Sequence, residues 1–475
     1  MEWNTSRGGE PLRFSLAARR SIVFLLLAMA VGARGQALSD AAAAAPAGSA
    51  PVVITLDDAI RQAEANEPGY AAARANSQSA ALDRSIARAS LLPSARLQSQ
   101  DIYVQPNGVT SDGDAGELNA PLPRFVSADA RPWEYIAQGV VSETLNLAGP
   151  AAVHRADADA AMASAQQEIA RRGLVAAVVG LFYSSIAADR KLKVAEQARD
   201  EAAGFTKLTR EREQAREAAH ADVVKAQLVE QQRGRDLEDA QVAAEKARLE
   251  LGVLLFSDPR TPYTLSAAAV AQPLASRADI DAAAVRHNPE LKGAMAALSA
   301  SNADVLAARA AYLPDVRLDF LYGIDANQFA VNAPITTLNG PPVQPHNLGY
   351  STVFTVNLPV WDWLATEHKV KQSEIRREAA RVALTNTQRR LVAQLEEADS
   401  EARTAQDQLT SLDTSVATAA ESLRLTRMRY LGGEATVLEV VDAENTYVAA
   451  ENAREDGRVR YETARAALQT LTGTM

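Results

Sequence analysis

The 475-residue sequence contains no cysteine. Disulfides, thiolate metal sites, cysteine nucleophiles and a lipid-modified N-terminal cysteine are excluded together. Aromatic residues make up only 5% of the chain, few for large globular cores. Alanine is abundant instead, which suits thin, closely packed helices. The five histidines, His154, His220, His287, His346 and His368, are scattered, and none falls in a paired-ligand spacing such as HExxH. There is no phosphate-binding glycine loop and no G-x-S-x-G elbow. The sequence therefore predicts no enzyme, no cofactor and no resident metal. Basic charge is also in deficit: 49 Lys and Arg face 59 Asp and Glu, for a net charge of -10. Nucleic acid is not expected as a partner, because phosphate binding needs a basic face. No run of 18 or more apolar residues occurs, so no bilayer-spanning helix is expected.

Among what is present, the N-terminus reads as an export signal. Arg13, Arg19 and Arg20 precede an apolar stretch from Ser21 to Val31, and small residues follow, with Gly35-Gln36-Ala37 as a cleavage site. The expected organisation is a signal peptide over 1–37 and a flexible Ala-rich segment over 38–54. A first structural repeat follows over 55–256, then a linker over 257–276 and a second repeat over 277–475. Export without disulfides points to the periplasm or outer membrane of a Gram-negative cell.

The two repeats rest on three matches in the same order. Asn66-Glu67-Pro68 returns as Asn288-Pro289-Glu290. Leu92-Pro93-Ser94-Ala95-Arg96-Leu97 returns as Leu313-Pro314-Asp315-Val316-Arg317-Leu318, and both proline pairs are 221 residues apart. Ala247-Arg248-Leu249-Glu250-Leu251 returns as Ala464-Arg465-Ala466-Ala467-Leu468. Each repeat predicts a short amphipathic helix, a helix running between the two prolines, two strands around a loop, a very long helix and a shorter one. In the second long helix Leu391, Leu395, Ala398, Ala402, Ala405, Leu409, Leu412, Val416, Ala419 and Leu423 step by 4, 3, 4, 3. That is a 3.5-residue coiled-coil seam. The first long helix carries a similar seam through Leu174, Val178, Leu181, Ser185, Ala188, Leu192 and Ala195. A helix over about 365–430 is about 100 Å long, too long for a compact domain.

Leu318, Phe320, Tyr322 and Ile324, and later Thr352, Phe354, Val356 and Leu358, alternate as strands with one apolar face. The chain offers four strand candidates, too few for a membrane barrel of at least about eight. Subunits must therefore pool strands. Trp133, Trp361 and Trp363 sit at ends of predicted strands, where interfacial aromatic girdles lie.

The stretch Tyr430-Leu431-Gly432-Gly433-Glu434-Ala435-Thr436-Val437-Leu438-Glu439-Val440-Val441-Asp442-Ala443-Glu444 resembles the turn between the last two helices of the TolC-like outer-membrane efflux proteins. The proline-ended helix followed by a strand, seen in both halves, is a second point of resemblance. It implies a homotrimer whose twelve strands form one barrel in outer-membrane lipid, continued by a coiled-coil helical tunnel through the periplasm. It implies a periplasmic adaptor and an inner-membrane pump of RND, ABC or MFS type as partners. It also implies acidic pore rings at Glu439 and Asp442, an adaptor-facing turn at Gly432, Gly433 and Glu434, and a gating network at Tyr430 and Asp222. The basic residue expected after Tyr430 is replaced by Ala435, and the first-half tip, Glu217 to Asp222, has no glycine. Three functions are carried forward. The first is an exit duct for small molecules such as drugs and toxic compounds. The second is a duct for type I protein secretion or metal-cation efflux. The third is a structural trimeric coiled-coil surface protein.

Overall fold

The computed structural model describes residues 52–103, 133–266, 274–326, 329–332, 344 and 346–473. The expected export signal, 1–37, and nearly all of the segment 38–54 lie outside these described residues. The first half contains β1 (Val52–Ile54), α1 (Leu56–Asn66), α2 (Pro68–Ala89), β2 (Ser94–Tyr103), β3 (Trp133–Leu145), α3 (Ala148–Gln214) and α4 (His220–Leu255). β4 (Tyr263–Leu265) follows. The second half contains α5 (Arg277–His287), α6 (Pro289–Ala310), β5 (Asp315–Ala326), β6 (Leu348–Asn357), α7 (Ala365–Leu431) and α8 (Val437–Thr472).

The duplication is legible in the helix lengths. α1 and α5 have 11 residues each, α2 and α6 have 22, α3 and α7 have 67, and α4 and α8 have 36. Start signals repeat as well. Pro68 and Pro289 each open a helix at its first turn, where a missing N–H costs nothing. Glu67 and Asn288 cap those helices through their side chains.

Two expectations about connecting segments need correction. Val52–Ile54 lies in the segment read as flexible, and Tyr263–Leu265 in the segment read as a linker. They pair as parallel strands, with Val52 opposite Tyr263 and Ile54 opposite Leu265. Three residues are too few to show an alternation, and the partner lies at the far end of the repeat.

This small sheet closes over a core of Ile54, Ala59, Ala63, Leu174, Val178, Phe182, Ile186, Leu251, Leu255 and Tyr263. Burial pushes the Tyr263 phenol up to about 12, and its hydroxyl donates to the Arg248 carbonyl at 2.7 Å. The second repeat builds a matching core from α5, α6, α7 and α8, including Ile280, Leu291, Leu391, Leu395 and Leu468.

Along α7 the predicted seam is buried at Leu391, Leu395, Ala402, Ala405, Val416, Ala419 and Leu423, and half-buried at Ala398, Leu409 and Leu412. Gly457 of α8 lets the two helices close up: a Cβ there would lie 2.6 Å from Leu412 Cδ1. On α3 the buried surface is wider than its seam and takes in Val175, Val179, Phe182 and Ile186. The reason is that α8 and α6 pack on α3 in addition to α2 and α4.

The larger sheet has the order β2-β3-β5-β6, antiparallel throughout. Among the described residues, its outer strands, β2 and β6, each present an unpaired edge.

Candidate functional site

The sheet has two chemically different faces. Register places Leu318, Phe320, Tyr322 and Ile324 of β5 beside Phe354, Thr352, Tyr350 and Leu348 of β6. Ala137, Gly139, Val141 and Leu145 of β3 and Leu97 of β2 extend this apolar face. The Phe320 and Tyr350 rings stack on it with centroids 6.3 Å apart. Its charged residues, Asp101 and Glu143, stand near opposite ends of the sheet. Because successive side chains alternate, the other face carries Arg96, Gln98, Gln138, Ser142, Arg317, Asp319, Ser351 and Thr355. There Arg317 donates to Asp319 at 2.7 and 3.0 Å, and the Ser142 hydroxyl donates to the same carboxylate at 2.6 Å. Strands of 10 to 13 residues have the length of a tilted membrane strand, about 9–11 residues.

Trp133 is the first residue of β3, at the end of the sheet away from the helices. Trp361 and Trp363 do not sit at a strand end as expected. They lie beyond Asn357, on the connection from β6 to α7, at the helix side of the sheet. Their rings meet edge to face at 5.7 Å and are 69% and 83% exposed. The strand ends just before Pro359, which has no N–H to donate to a ladder; further on, Trp363 and Leu364 adopt left-handed backbone, with φ of 55° and 64°.

At the other end of the long helices, the two hairpin turns are copies of one motif. After α7 the Glu434 N–H donates to the Arg429 carbonyl at 2.8 Å and the Gly433 N–H to the Tyr430 carbonyl at 3.0 Å. After α3 the Glu217 N–H donates to the Arg212 carbonyl at 2.8 Å and the Arg216 N–H to the Glu213 carbonyl at 2.9 Å. Both are Schellman caps. Gly433 supplies the left-handed residue with φ of 80°, while Gly432 is right-handed. In the first repeat Arg216 takes the same place with φ of 63°. A side chain there costs roughly 1 kcal/mol. Arg216→Gly is therefore expected to slow hydrogen exchange of the turn amides roughly fivefold, measured by mass spectrometry of the 212–222 region.

Tyr430 is buried against α3. Its ring lies 5.1 Å from that of Phe205, and its hydroxyl lies 3.4 Å from Thr209 Oγ1. The Arg212 guanidinium stands 5.0 Å over the ring and donates to the Tyr430 carbonyl at 2.6 Å. The protomer forms no hydrogen bond between Tyr430 and Asp222, because α3 residues fill the space around the ring; Asp222 lies in the first turn of α4. Arg212 thus provides the basic contact that Ala435 cannot. The contact spans 218 positions, so spacing does not disclose it. The available signal was a basic residue in the last turn of α3, where helix C-termini favour cations.

Glu439 has a local task. It forms a capping box with Thr436, the Thr436 N–H donating to its carboxylate at 3.2 Å, and Arg429 lies 3.4 Å from its other oxygen. Asp442 is exposed one turn further along the same side. Val437, Val440 and Val441 face inward and form a tip core with Tyr430, Phe205 and Leu208. Among the described residues no group of three or more His, Asp or Glu is placed to hold a metal ion.

The chain thus sets a two-faced sheet of membrane-length strands at one end of paired helices about 100 Å long. Residues 272–474 match the profile of the family described as outer membrane efflux protein. Over that span, a little under half of the chain, the sequence is similar to the members of that family. The fold extends over the first half too. The Campylobacter jejuni outer membrane channel CmeC superposes with a TM-score of 0.72 at 16% identity, over 88% of this chain and 85% of that one. The Vibrio cholerae outer membrane protein VceC gives 0.70 at 18% identity, over 88% and 96%. The Neisseria gonorrhoeae MtrE outer membrane channel, solved in its open state, gives 0.68 at 19% identity, over 88% of both chains. At these identities the likeness is one of fold. No curated protein matches the sequence.

Within the second repeat, ionic contacts tie the helices together. Burial disfavours the charge on Asp399 of α7, but hydrogen bonds from Arg403 at 3.0 Å and from Arg277 at 3.3 Å outweigh it and hold the carboxyl below the usual range. On α8, Glu462 behaves oppositely. Burial pushes its carboxyl up, and the Arg465 charge 2.7 Å away offsets this only in part.

Proposed function

We propose that the chain is the outer-membrane exit duct of a tripartite efflux system and that it works as a homotrimer. The observation that carries this reading is the four-stranded sheet with one apolar face and two unpaired edges. Open edges are not tolerated in lipid, where each unsatisfied backbone group costs several kcal/mol. The sheet must therefore close on further copies. Two copies give the minimal barrel of about eight strands; three give the twelve that the efflux resemblance implies. The apolar face then meets lipid, and the face with Arg96, Gln98, Arg317 and Asp319 lines the lumen.

The long helices continue the barrel as a periplasmic tunnel whose far end carries the two hairpin turns. Gly432, Gly433 and Glu434 are the surface offered to a periplasmic adaptor, itself bound to an inner-membrane pump of RND, ABC or MFS type. Asp442 and Glu439 form carboxylate rings that favour cations at the narrow entrance. Tyr430 and Arg212 brace α7 against α3, Asp222 adds a polar contact across the assembled entrance, and adaptor docking shifts the equilibrium toward an open packing. Transport is passive, and the pump supplies the energy. Small toxic compounds are the expected cargo; six methionines and five histidines in the whole chain offer little for a metal path.

The purified protein is expected to conduct ions in planar bilayers, and cells lacking it to accumulate dyes and antibiotics. A protein that does not conduct at all rejects the duct. Intact conductance with unchanged accumulation points instead to a dedicated protein or metal exporter.

A further inference from the structure

α8 carries four buried glutamates, Glu444, Glu451, Glu455 and Glu462, exposed by only 2%, 8%, 1% and 7%. Their spacing of seven, four and seven puts them on one side of the helix. Three of them have arginine partners. Glu451 lies 2.6 Å from Arg454. Glu455 lies 2.9 Å from Arg190 of α3 and 3.1 Å from Arg454. Glu462 lies 2.7 Å from Arg465. Glu444 is the exception. Its Oε1 is buried without a hydrogen-bond partner, and no cation lies within ion-pair distance among the described residues.

The charges that face Glu444 hold other partners, although Arg233 Nε is itself buried without one. Arg233 of α4 donates to Asp236 at 3.1 Å and to Asn445. Arg427 of α7 is ion-paired with Glu201 of α3. Burial pushes the Glu444 carboxyl up; Arg233 and Arg427 pull it down only partly, and Glu201 adds to the rise. Glu444 is enclosed by helices of its own protomer. The duplication provides an internal control. α4 and α8 start at His220 and Val437, so Val223 and Ala226 correspond to Val440 and Ala443, and all four are buried. The residue that corresponds to Glu444 is Gln227, a half-buried, uncharged side chain of nearly the same shape.

We propose that Glu444 is a proton-sensitive switch at the tunnel tip: protonated it fits the packing of α8 against α3, α4 and α7, and ionised it drives the first turns of α8 out of that packing. An ionised carboxylate without a partner is costly in a buried site. Its ionised form therefore favours any arrangement in which it reaches water or captures Arg233 or Arg427 from their present partners. The sign follows from linkage. The packed state holds the proton more tightly than the loosened state. Its advantage is complete below the ordinary glutamate value of 4.5, falls as pH rises above it, and levels off once the buried group itself ionises. The consequence for gating rests on the channel reading above; the consequence for packing does not.

The test compares the full-length protein with Glu444→Gln, both reconstituted in lipid vesicles. Hydrogen exchange of the amides in 437–448 is measured at pH 5 and pH 8 and corrected for intrinsic rates. The wild type is expected to lose roughly tenfold protection or more at pH 8, one tenfold for each unit by which the two states differ. Glu444→Gln is expected to keep its protection at both pH values. An equal loss in both proteins, or no loss in the wild type, overturns the proposal. Bilayer recordings on the same samples separate the two claims. A wild type that conducts but shows no Glu444-dependent change between pH 5 and pH 8 rejects the switch as a gate. A wild type that conducts at neither pH rejects the duct and leaves the exchange result to decide the packing.

Discussion

Phe320→Arg is expected to destabilise the inserted protein by about 2–4 kcal/mol per chain, the cost of an arginine on the lipid side at mid-bilayer. Phe320 lies in the middle of β5, opposite Val141 and Thr352, on the apolar face. Ser351→Arg is its control. Ser351 sits on the neighbouring strand opposite Leu321, on the polar face. There an added arginine meets water and is expected to change stability by no more than about 0.5 kcal/mol. The urea midpoint of vesicle-inserted protein measures both. Equal losses for the two variants would overturn the assignment of faces. In a threefold assembly the Phe320 penalty acts three times, so the inserted fraction is expected to fall sharply.

Phe182→Ala is expected to cost about 3–5 kcal/mol, the usual range for emptying a buried phenylalanine site. Phe182 is fully buried where α1, α3, α4 and the small parallel sheet meet. Its ring meets that of Tyr183 edge on at 5.6 Å. The void would open beneath β1 and β4, which are held by only three paired residues each. Phe182→Leu leaves a smaller void and is expected to cost roughly half as much. Thermal unfolding followed by circular dichroism ranks the two. The pair also tests location, because loss confined to this layer should expose Val52–Ile54 to protease before the tip helices unfold.

The features that were legible in the sequence are those with a local period or an internal copy. The coiled-coil seam of α7, the proline-bounded helices and the four long strands each repeat a signal over many residues. The α3 seam was legible only in part. A single 3.5-residue stripe describes one partner, whereas Val175, Val179, Phe182 and Ile186 are buried because other helices pack on α3 as well. Contacts between distant positions left no trace in spacing. Arg212 reaches Tyr430 through the packing of α3 against α7, and β1 finds β4 across the whole first repeat. Arg216 escaped notice for a different reason. A left-handed turn is signalled by glycine, and an arginine in that conformation is strained in a way composition does not reveal. The tip carboxylates showed the opposite limit. Their acidity was plain, but that Glu439 also caps its own helix, and that Glu444 rather than Asp442 is the buried group, required the positions of the surrounding helices.

The free edges of β2 and β6 have a genetic consequence. A chain whose β6 edge is spoiled, for example by a proline, can still offer an intact β2 to a neighbour. If the duct is the homotrimer proposed above, that chain therefore enters a barrel that it prevents from closing. In a cell making equal amounts of normal and spoiled chains, about one threefold barrel in eight would contain only normal copies. Such an allele would be dominant over the wild type, whereas one that prevents the helical portion from folding would be recessive.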